Sequence, residues 1–157
     1  MKVTYLSQLD PRWAGNKIGP GPLKMGRYGC TTTMLSMMAF YAGHPILPDE
    51  IASHADWYTD ASNPSGPCLV LWNKLNIAGL KFIWRQKGYD KARILKDLAD
   101  PQMLVGLQVN NGQHWVWLLG KTWFGDYTAA DPLGGIRCNV LKKYKNITGS
   151  VHFKMVK

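Results

Sequence analysis

The segment YGCTTTMLSMMAFYAG, residues 28–43, decides the fold that we expect for this chain. Apolar residues follow Cys30 at helical spacing until Gly43, and one helical face carries Met34, Met37, Met38 and Tyr41. The pattern predicts a buried helix from about Thr31 to Ala42, with the cysteine at its first turn. Unpaired N–H groups and the helix dipole favour negative charge there, so Cys30 is a candidate nucleophilic thiolate. The alternative is a small buried core thiol.

Length and composition indicate one domain over residues 1–157. Hydrophobic residues make up 46% of the chain, which is enough for a substantial core. No segment is long and apolar enough to span a membrane, and the start, MKVTYLSQLDPRW, lacks the apolar stretch of a signal peptide. We therefore expect a monomer that is made in the cytoplasm and that would leave it without a signal of its own.

The cysteines point away from metal and disulfide chemistry. Their number is odd and no C-x-x-C spacing occurs among Cys30, Cys68 and Cys138. Neither a zinc site nor a disulfide framework is indicated, and no cofactor is expected.

The charge of the chain is strongly basic. A formal net charge of +9 favours acidic partners, such as nucleic acid, anionic lipid or bacterial wall polymers. The densest basic cluster surrounds Tyr144 and is typical of a solvated loop; it comprises Lys142, Lys143 and Lys145.

The remaining pattern predicts an α+β fold, in which the N-terminal helix that carries Cys30 packs on a C-terminal antiparallel sheet. Asn110-Asn111-Gly112 is a strong hairpin signal between two predicted strands, 103–109 and 114–119. Further strands are predicted at 80–84, 127–131 and 151–155. Further helices are predicted from Pro48 to near Trp57, from Pro67 to Gly79, and after the cap Asp90.

A cysteine nucleophile needs a base, usually histidine, and the chain offers four candidates. His44 lies beyond the far end of the same helix, about 20 Å from Cys30 at ~1.5 Å rise per residue. His152 is expected on a solvated strand face, and His54, inside a short helix, stays open. His114 is the strongest candidate because it begins a strand that is apolar on both faces. The alternative for His114 is a hydrogen-bonded core histidine.

Strand register selects a third residue. If Gly120 faces Gly125 across the loop between two antiparallel strands, then His114 is paired with Asp131. Side chains opposed in this way lie roughly 5 Å apart at Cβ, so Asp131 could orient and charge the imidazole. The alternative is that Asp131-Pro132 simply starts a turn.

Acyl transfer also needs hydrogen-bond donors for an oxyanion. The backbone N–H of Cys30 is one candidate. The side-chain amide of Gln8 is another, provided that the N-terminal loop folds back onto the start of the helix.

Four segments resemble the papain-like cysteine peptidases: YLSQLDPRW at 5–13, MGRYGCTTTM at 25–34, GQHWV at 112–116 and ADP at 130–132. The branch most similar to them comprises peptidases related to the bacteriocin-processing, double-glycine-cleaving enzymes. The resemblance implies a papain-like fold, with nucleophile Cys30, base His114, orienting Asp131 and oxyanion donor Gln8. The processing enzymes usually have Gly- or Ala-rich residues where this chain has Thr31-Thr32-Thr33, and their Gln-to-Cys gap is shorter. The freestanding relatives, including domains of phage lysins, are therefore the better comparison.

These expectations favour a cysteine peptidase that cleaves peptide bonds of bacterial peptidoglycan, as a phage-encoded endolysin released to the anionic wall. Trp13, Trp57 or Trp123 could stack on sugar rings, with core positions as the alternative for each. A second hypothesis is a protease or isopeptidase that acts on protein chains. A third is a non-catalytic basic module that binds nucleic acid or lipid, and the complete set of site residues argues against it.

Overall fold

The structure, a computed structural model, describes residues 2–157. Its centre is a six-stranded antiparallel sheet with the strand order β1-β6-β2-β3-β4-β5. The strands are β1 Leu80–Lys87, β2 Met103–Val109, β3 His114–Lys121, β4 Tyr127–Asp131, β5 Ile136–Asn139 and β6 Ile147–Met155. The predicted α+β class, with helices packed on an antiparallel sheet, is confirmed.

The helices are short apart from the one that carries Cys30. They are α1 Met25–Tyr28, α2 Cys30–Tyr41, α3 Pro48–Ala52, α4 Lys91–Leu98 and α5 Val140–Tyr144. Helix α2 begins at the predicted cysteine and ends before Gly43, which has a φ of +85°. Asp90 caps α4 as predicted, because its carboxylate accepts a hydrogen bond from the N–H of Arg93.

Two predicted helices are wrong in extent. The segment from Pro48 to Trp57 divides into α3 and a 3₁₀ turn, Ala55–Trp57. The segment from Pro67 to Gly79 contains only the 3₁₀ turn Trp72–Lys74. Backbone pairing explains the second difference, since the amides of Cys68 and Leu71 donate to the carbonyls of Thr59 and Trp57 and keep this stretch extended. The sequence analysis did not predict α1, β5 or α5.

The core has two layers, one on each face of the sheet. Helix α2 lies on one face, and most of its residues are buried; the strand residues beneath it include Trp115, Trp117, Val151 and Phe153. Helix α4 lies on the other face, where its Ile94 packs with strand residues that include Val105, Leu107, Val116 and Leu118. Successive side chains of β3 therefore point alternately into the two layers, as expected for a central strand that is buried on both faces.

The glycine in the middle of β2 allows α2 to lie close to the sheet. A Cβ placed on Gly106 would come within 2.7 Å of Met34 Sδ and 2.8 Å of Val151 Cγ1. Such contacts would push the helix away from the strand, and with it Cys30 at the helix start. Within residues 2–157, no helix has the length and apolarity that crossing a bilayer would require.

Candidate active site

Cys30 is the first residue of α2, and Gly29 sets its position. Helix α1 ends directly before Gly29, whose N–H donates to the carbonyl of Met25. A Cβ on Gly29 would lie 2.5 Å from that carbonyl oxygen, so no larger residue fits between the two helices without moving the backbone. The N–H of Cys30 is a first-turn amide, for which the helix itself supplies no acceptor.

His114 and Asp131 meet directly, at the end of the sheet where β3 begins and β4 ends. The N–H at His114 Nε2 donates to Asp131 Oδ1 over 2.8 Å, and both side chains are buried. This geometry leaves Nδ1 of the imidazole for the thiol of Cys30, which lies close enough to the ring for the two groups to shift each other's pKa. Cysteine, histidine and aspartate thus lie in series at this end of the sheet.

The predicted strand register, which paired His114 directly with Asp131 across β3 and β4, is wrong. The ladder pairs Trp117 with Ala130 and Leu118 with Ala129, and a bulge near Leu119 adds a residue on β3. Continuing this ladder would place Val116, not His114, opposite Asp131. The shift is two residues, however, and two residues return a strand to the same face. His114 and Asp131 are therefore diagonal neighbours, whose Cβ atoms typically lie about 7–8 Å apart, within reach of an imidazole and a carboxylate.

Asp131 is held by four hydrogen bonds. Besides His114, its Oδ1 accepts the N–H of Leu133 over 2.8 Å. Its Oδ2 accepts Lys143 Nζ over 2.6 Å and the hydroxyl of Tyr144. All acceptor sites of the carboxylate are thereby used, so it cannot rotate away from the imidazole without losing several bonds.

Helix α5 is a part of this site that the sequence analysis missed. The basic cluster around Tyr144 was interpreted as a solvated loop, but Lys143 pairs with Asp131 and Tyr144 is buried. The Tyr144 ring also packs against His114, with a centroid separation of 5.2 Å. The available signal was a single tyrosine among lysines near a predicted sheet, which does not identify a partner for Asp131.

The electrostatics of the site favour a charged pair. Burial acts most strongly and opposes the thiolate, but the hydrogen bond with His114, the charge of that ring and the Trp115 N–H together lower the pKa of Cys30. Burial also opposes the imidazolium, yet hydrogen bonds with Asp131 and Cys30 raise the pKa of His114 to about 9. Both shifts therefore favour the thiolate–imidazolium form of the pair over the neutral form.

The Asp131 carboxylate keeps its charge throughout the neutral range. Burial would raise its pKa, but the hydrogen bonds from His114 and from the two α5 side chains lower it to about 2. A permanent negative charge thus faces the outer edge of the imidazole.

Gln8 links the two halves of the site. Its Nε2 donates to the carbonyl of Gly26 over 3.1 Å, and its backbone N–H donates to the carbonyl of Pro132 over 2.8 Å. The N-terminal loop folds back because Trp13 is buried and its indole N–H donates to the carbonyl of Ser7 over 2.8 Å. The amide therefore lies next to the segments that carry Cys30 and Asp131, and one of its two N–H donors is used by Gly26.

A cleft of about 440 Å³ opens beside the cysteine. Trp72 and Trp115 form apolar walls, and Arg27, Arg85 and Lys87 are its cationic lining residues. The cleft gives a route to Cys30, a residue that is itself only 7% exposed. A side chain or backbone of a peptide could approach the sulfur along it.

The other candidate residues lie elsewhere. His54 stacks on Trp57 with a centroid separation of 3.8 Å, and His44 is exposed beyond the end of α2. His152 is fully buried, so its predicted solvated position is wrong: α4 covers that face of the sheet. Trp13 and Trp57 are core residues, whereas Trp123 is 100% exposed at the tip of the β3–β4 loop.

No protein-family model matches this chain. No curated protein matches it significantly.

Proposed function

We propose that the protein is a cysteine peptidase with a papain-like fold that cleaves peptide bonds of bacterial peptidoglycan, as a phage-type endolysin. The observation that carries the proposal is the hydrogen bond of His114 with Asp131 beside Cys30, which lines an open cleft at the start of a helix. A purely structural role for Cys30 would not need a charged partner, because a neutral thiol is cheaper to bury than a thiolate.

The chemistry follows from the charges of the pair. The Cys30 thiolate attacks the carbonyl carbon of the scissile peptide bond, and the resulting oxyanion accepts hydrogen bonds from the Cys30 N–H and from Gln8 Nε2. The His114 imidazolium then gives its proton to the leaving amine, which departs and leaves a thioester on Cys30. Water, deprotonated by the now neutral His114, attacks the thioester, releases the carboxylic acid and regenerates the thiolate.

Two features support a wall substrate over a general protein substrate. The net charge of +9 would concentrate the protein on an anionic polymer. Trp123 and Phe124 are almost fully exposed at one hairpin tip, where an aromatic ring can stack on a sugar.

The experiment is incubation with purified peptidoglycan, followed by mass spectrometry of the released fragments and of the new amino groups. Cys30→Ala and His114→Ala should each abolish cleavage, while Asp131→Ala should leave a residual rate because Asp131 only orients and charges the base. Cys138→Ala is the matched control and should remain active. Undiminished cleavage by the Cys30→Ala variant would refute the proposal, and cleavage of denatured protein but not of peptidoglycan would favour the protein-substrate alternative.

A further inference from the structure

The cleft beside Cys30 carries positive charge that the protein does not neutralise. Its cationic lining residues are Arg27, Arg85 and Lys87, and no aspartate or glutamate lines it. The ion pairs formed within residues 2–157 use other basic groups, on Arg12, Arg93, Lys143 and two histidines. The described residues that line the cleft therefore make an electropositive groove without a carboxylate.

Arg85 is the most constrained of these cations. It lies on β1, is half-buried, and its Nη2 donates to Gln108 Oε1 over 2.8 Å. Its Nη1 donates to the backbone carbonyls of Gln86 and Ser150. All three acceptors are neutral, and together they use three of the five N–H donors of a guanidinium. The group is thus held in place with donors to spare and without a carboxylate.

Arg85 is also connected to the nucleophile. Its guanidinium carbon lies 4.8 Å above the ring of Trp115. Trp115 is the residue after His114, and it lines the same cleft as Cys30. Arg85 and the reactive sulfur therefore line the same cleft, so a substrate bound in the cleft can contact both.

We propose that Arg85 is a specificity residue that binds a carboxylate of the substrate, with Arg27 and Lys87 at the rim of the same cleft. A planar guanidinium matches a carboxylate in a two-point hydrogen bond, which a flexible lysine does not. The description of the ligand as a substrate rests on the proposed peptidase function. The carboxylate can come from an acidic side chain or from a chain terminus, and the two sources share this chemistry.

Matched thiol reagents test the proposal without requiring any cleavage. We would compare the rates at which Cys30 is alkylated by N-iodoacetyl-glutamine amide, N-iodoacetyl-glutamine and N-iodoacetyl-glutamate α-amide. The first is neutral, the second carries a terminal carboxylate and the third a side-chain carboxylate. In each case the thiolate displaces iodide from the same group, so the rate ratio to the neutral reagent isolates the effect of the carboxylate.

At least one acidic reagent should react faster than the neutral one, by about tenfold, the value of one partly exposed charge-assisted hydrogen bond. The faster acidic reagent identifies the source of the carboxylate. Arg85→Gln should reduce the ratio to near one, and Arg85→Lys should give an intermediate ratio. Lys81→Gln is the matched control, because Lys81 is an exposed cation on the same strand outside the cleft.

Three results would overturn the assignment: no advantage for either acidic reagent, an unchanged ratio in Arg85→Gln, or an equal fall in Lys81→Gln. If Arg85→Gln does not fold, Arg85→Lys still tests the residue, and the wild-type protein tests the charge of the cleft. In the wild-type protein, the ratio of the acidic to the neutral alkylation rate should fall severalfold between low salt and 0.3 M NaCl, since screening weakens a contact that is open to solvent. A ratio independent of salt would count against the proposal. Failure of these ratios would leave the peptidase proposal intact, because the neutral reagent reports on the thiolate separately.

Discussion

At the scale of single residues, Cys30 and His114 are best understood as one charged pair. Neither residue would carry its charge alone, because burial opposes both the thiolate and the imidazolium. Each charge stabilises the other, and Asp131 adds a second negative charge on the far side of the ring. A change in any of the three should therefore alter the protonation of the other two.

The first prediction concerns the reactivity of the thiols. Cys30 should react with iodoacetamide at pH 6 well before Cys68 or Cys138, measured by peptide mapping with mass spectrometry. Burial and the nearby Asp131 raise the pKa of Cys138 to about 11, so that thiol stays protonated. His114→Ala should slow the reaction of Cys30 by roughly 10²-fold, because an ordinary thiol titrates near ~8.5. The control is His44→Ala, and equal rates for all three thiols would contradict the thiolate assignment.

The second prediction concerns Gln8. If its amide stabilises an oxyanion, Gln8→Ala should lower kcat by roughly 10²–10³-fold, with a much smaller effect on KM. Steady-state kinetics on a peptide fragment of the substrate would separate the two constants. The Gly26 contact also predicts some loss of stability, so the variant needs a thermal unfolding control. A change confined to KM would make Gln8 a substrate-binding or structural residue.

At the scale of the elements, α4 and β6 enclose a second polar cluster that is remote from the cleft. The ring of His152 bonds to Ser150 Oγ through Nε2 over 2.8 Å, and its Nδ1 lies 2.8 Å from Asp97 Oδ2. Arg93 Nε donates to the same carboxylate oxygen over 2.8 Å. Serine, histidine and aspartate form a series here as well, but all three are buried between α4 and the sheet. Without access for a substrate, this cluster serves stability.

The third prediction follows from the charge of His152. Burial, aided by the charge of Arg93, outweighs Asp97 and lowers the pKa of His152 in the folded protein. An unfolded histidine titrates near ~6.5, so below that pH the unfolded state binds a proton that the folded state refuses. Stability should therefore fall as pH decreases from 6.5 to 5, by up to ~1.4 kcal/mol per pH unit.

Denaturant unfolding at several pH values measures this slope. His114 does not obscure it: with its pKa raised to about 9, its stabilisation is fully present below ~6.5 and is lost only as pH rises towards 9. His152→Gln should flatten the slope between pH 6.5 and 5, whatever its effect on absolute stability. The exposed His44→Gln should leave the slope unchanged. An equal slope in wild type and His152→Gln would show that other groups cause the acid sensitivity.

At the scale of the whole molecule, the dominant property is the excess of positive charge. Lysine and arginine outnumber aspartate and glutamate by 19 to 10, and few of the basic residues are paired. Such an excess favours association with anionic polymers and does not by itself determine the fold. The excess charge should therefore affect how strongly the protein binds the cell wall, and it should have little effect on the rate of the chemical step at Cys30.

The fourth prediction separates targeting from chemistry. Lysis of intact cell wall should fall steeply as NaCl increases from low to moderate concentration, because screening shortens to about 8 Å at physiological ionic strength. Cleavage of a small neutral peptide should change little over the same range, since it needs only the local site. Both rates would be measured on one enzyme preparation. Parallel salt curves would show that the charge plays no part in targeting and would favour a protein substrate.

Several features of this protein depend only on local sequence pattern and could be predicted from it. The helix after Cys30, the hairpin at Asn110–Gly112 and the cap at Asp90 all follow from spacing and from turn and capping residues. The choice of His114 and Asp131 as partners also came from pattern, since alternation places both side chains on one face of the sheet. The predicted register was wrong by two residues, and the period of two along a strand preserved the face.

Other features depend on contacts between segments that are distant in the sequence, and local pattern could not predict them. The pairing of Lys143 and Tyr144 with Asp131 requires α5 to fold against β4, and local sequence carries no signal of that. His152 is buried because α4 covers its face of the sheet, although its strand alternation alone is equally compatible with solvent. The segment after Pro67 stays extended because it pairs with residues 57–59. In each case packing and long-range hydrogen bonds outweigh the intrinsic conformational preference of the local sequence, because they contribute more to the free energy of folding than secondary-structure propensity does.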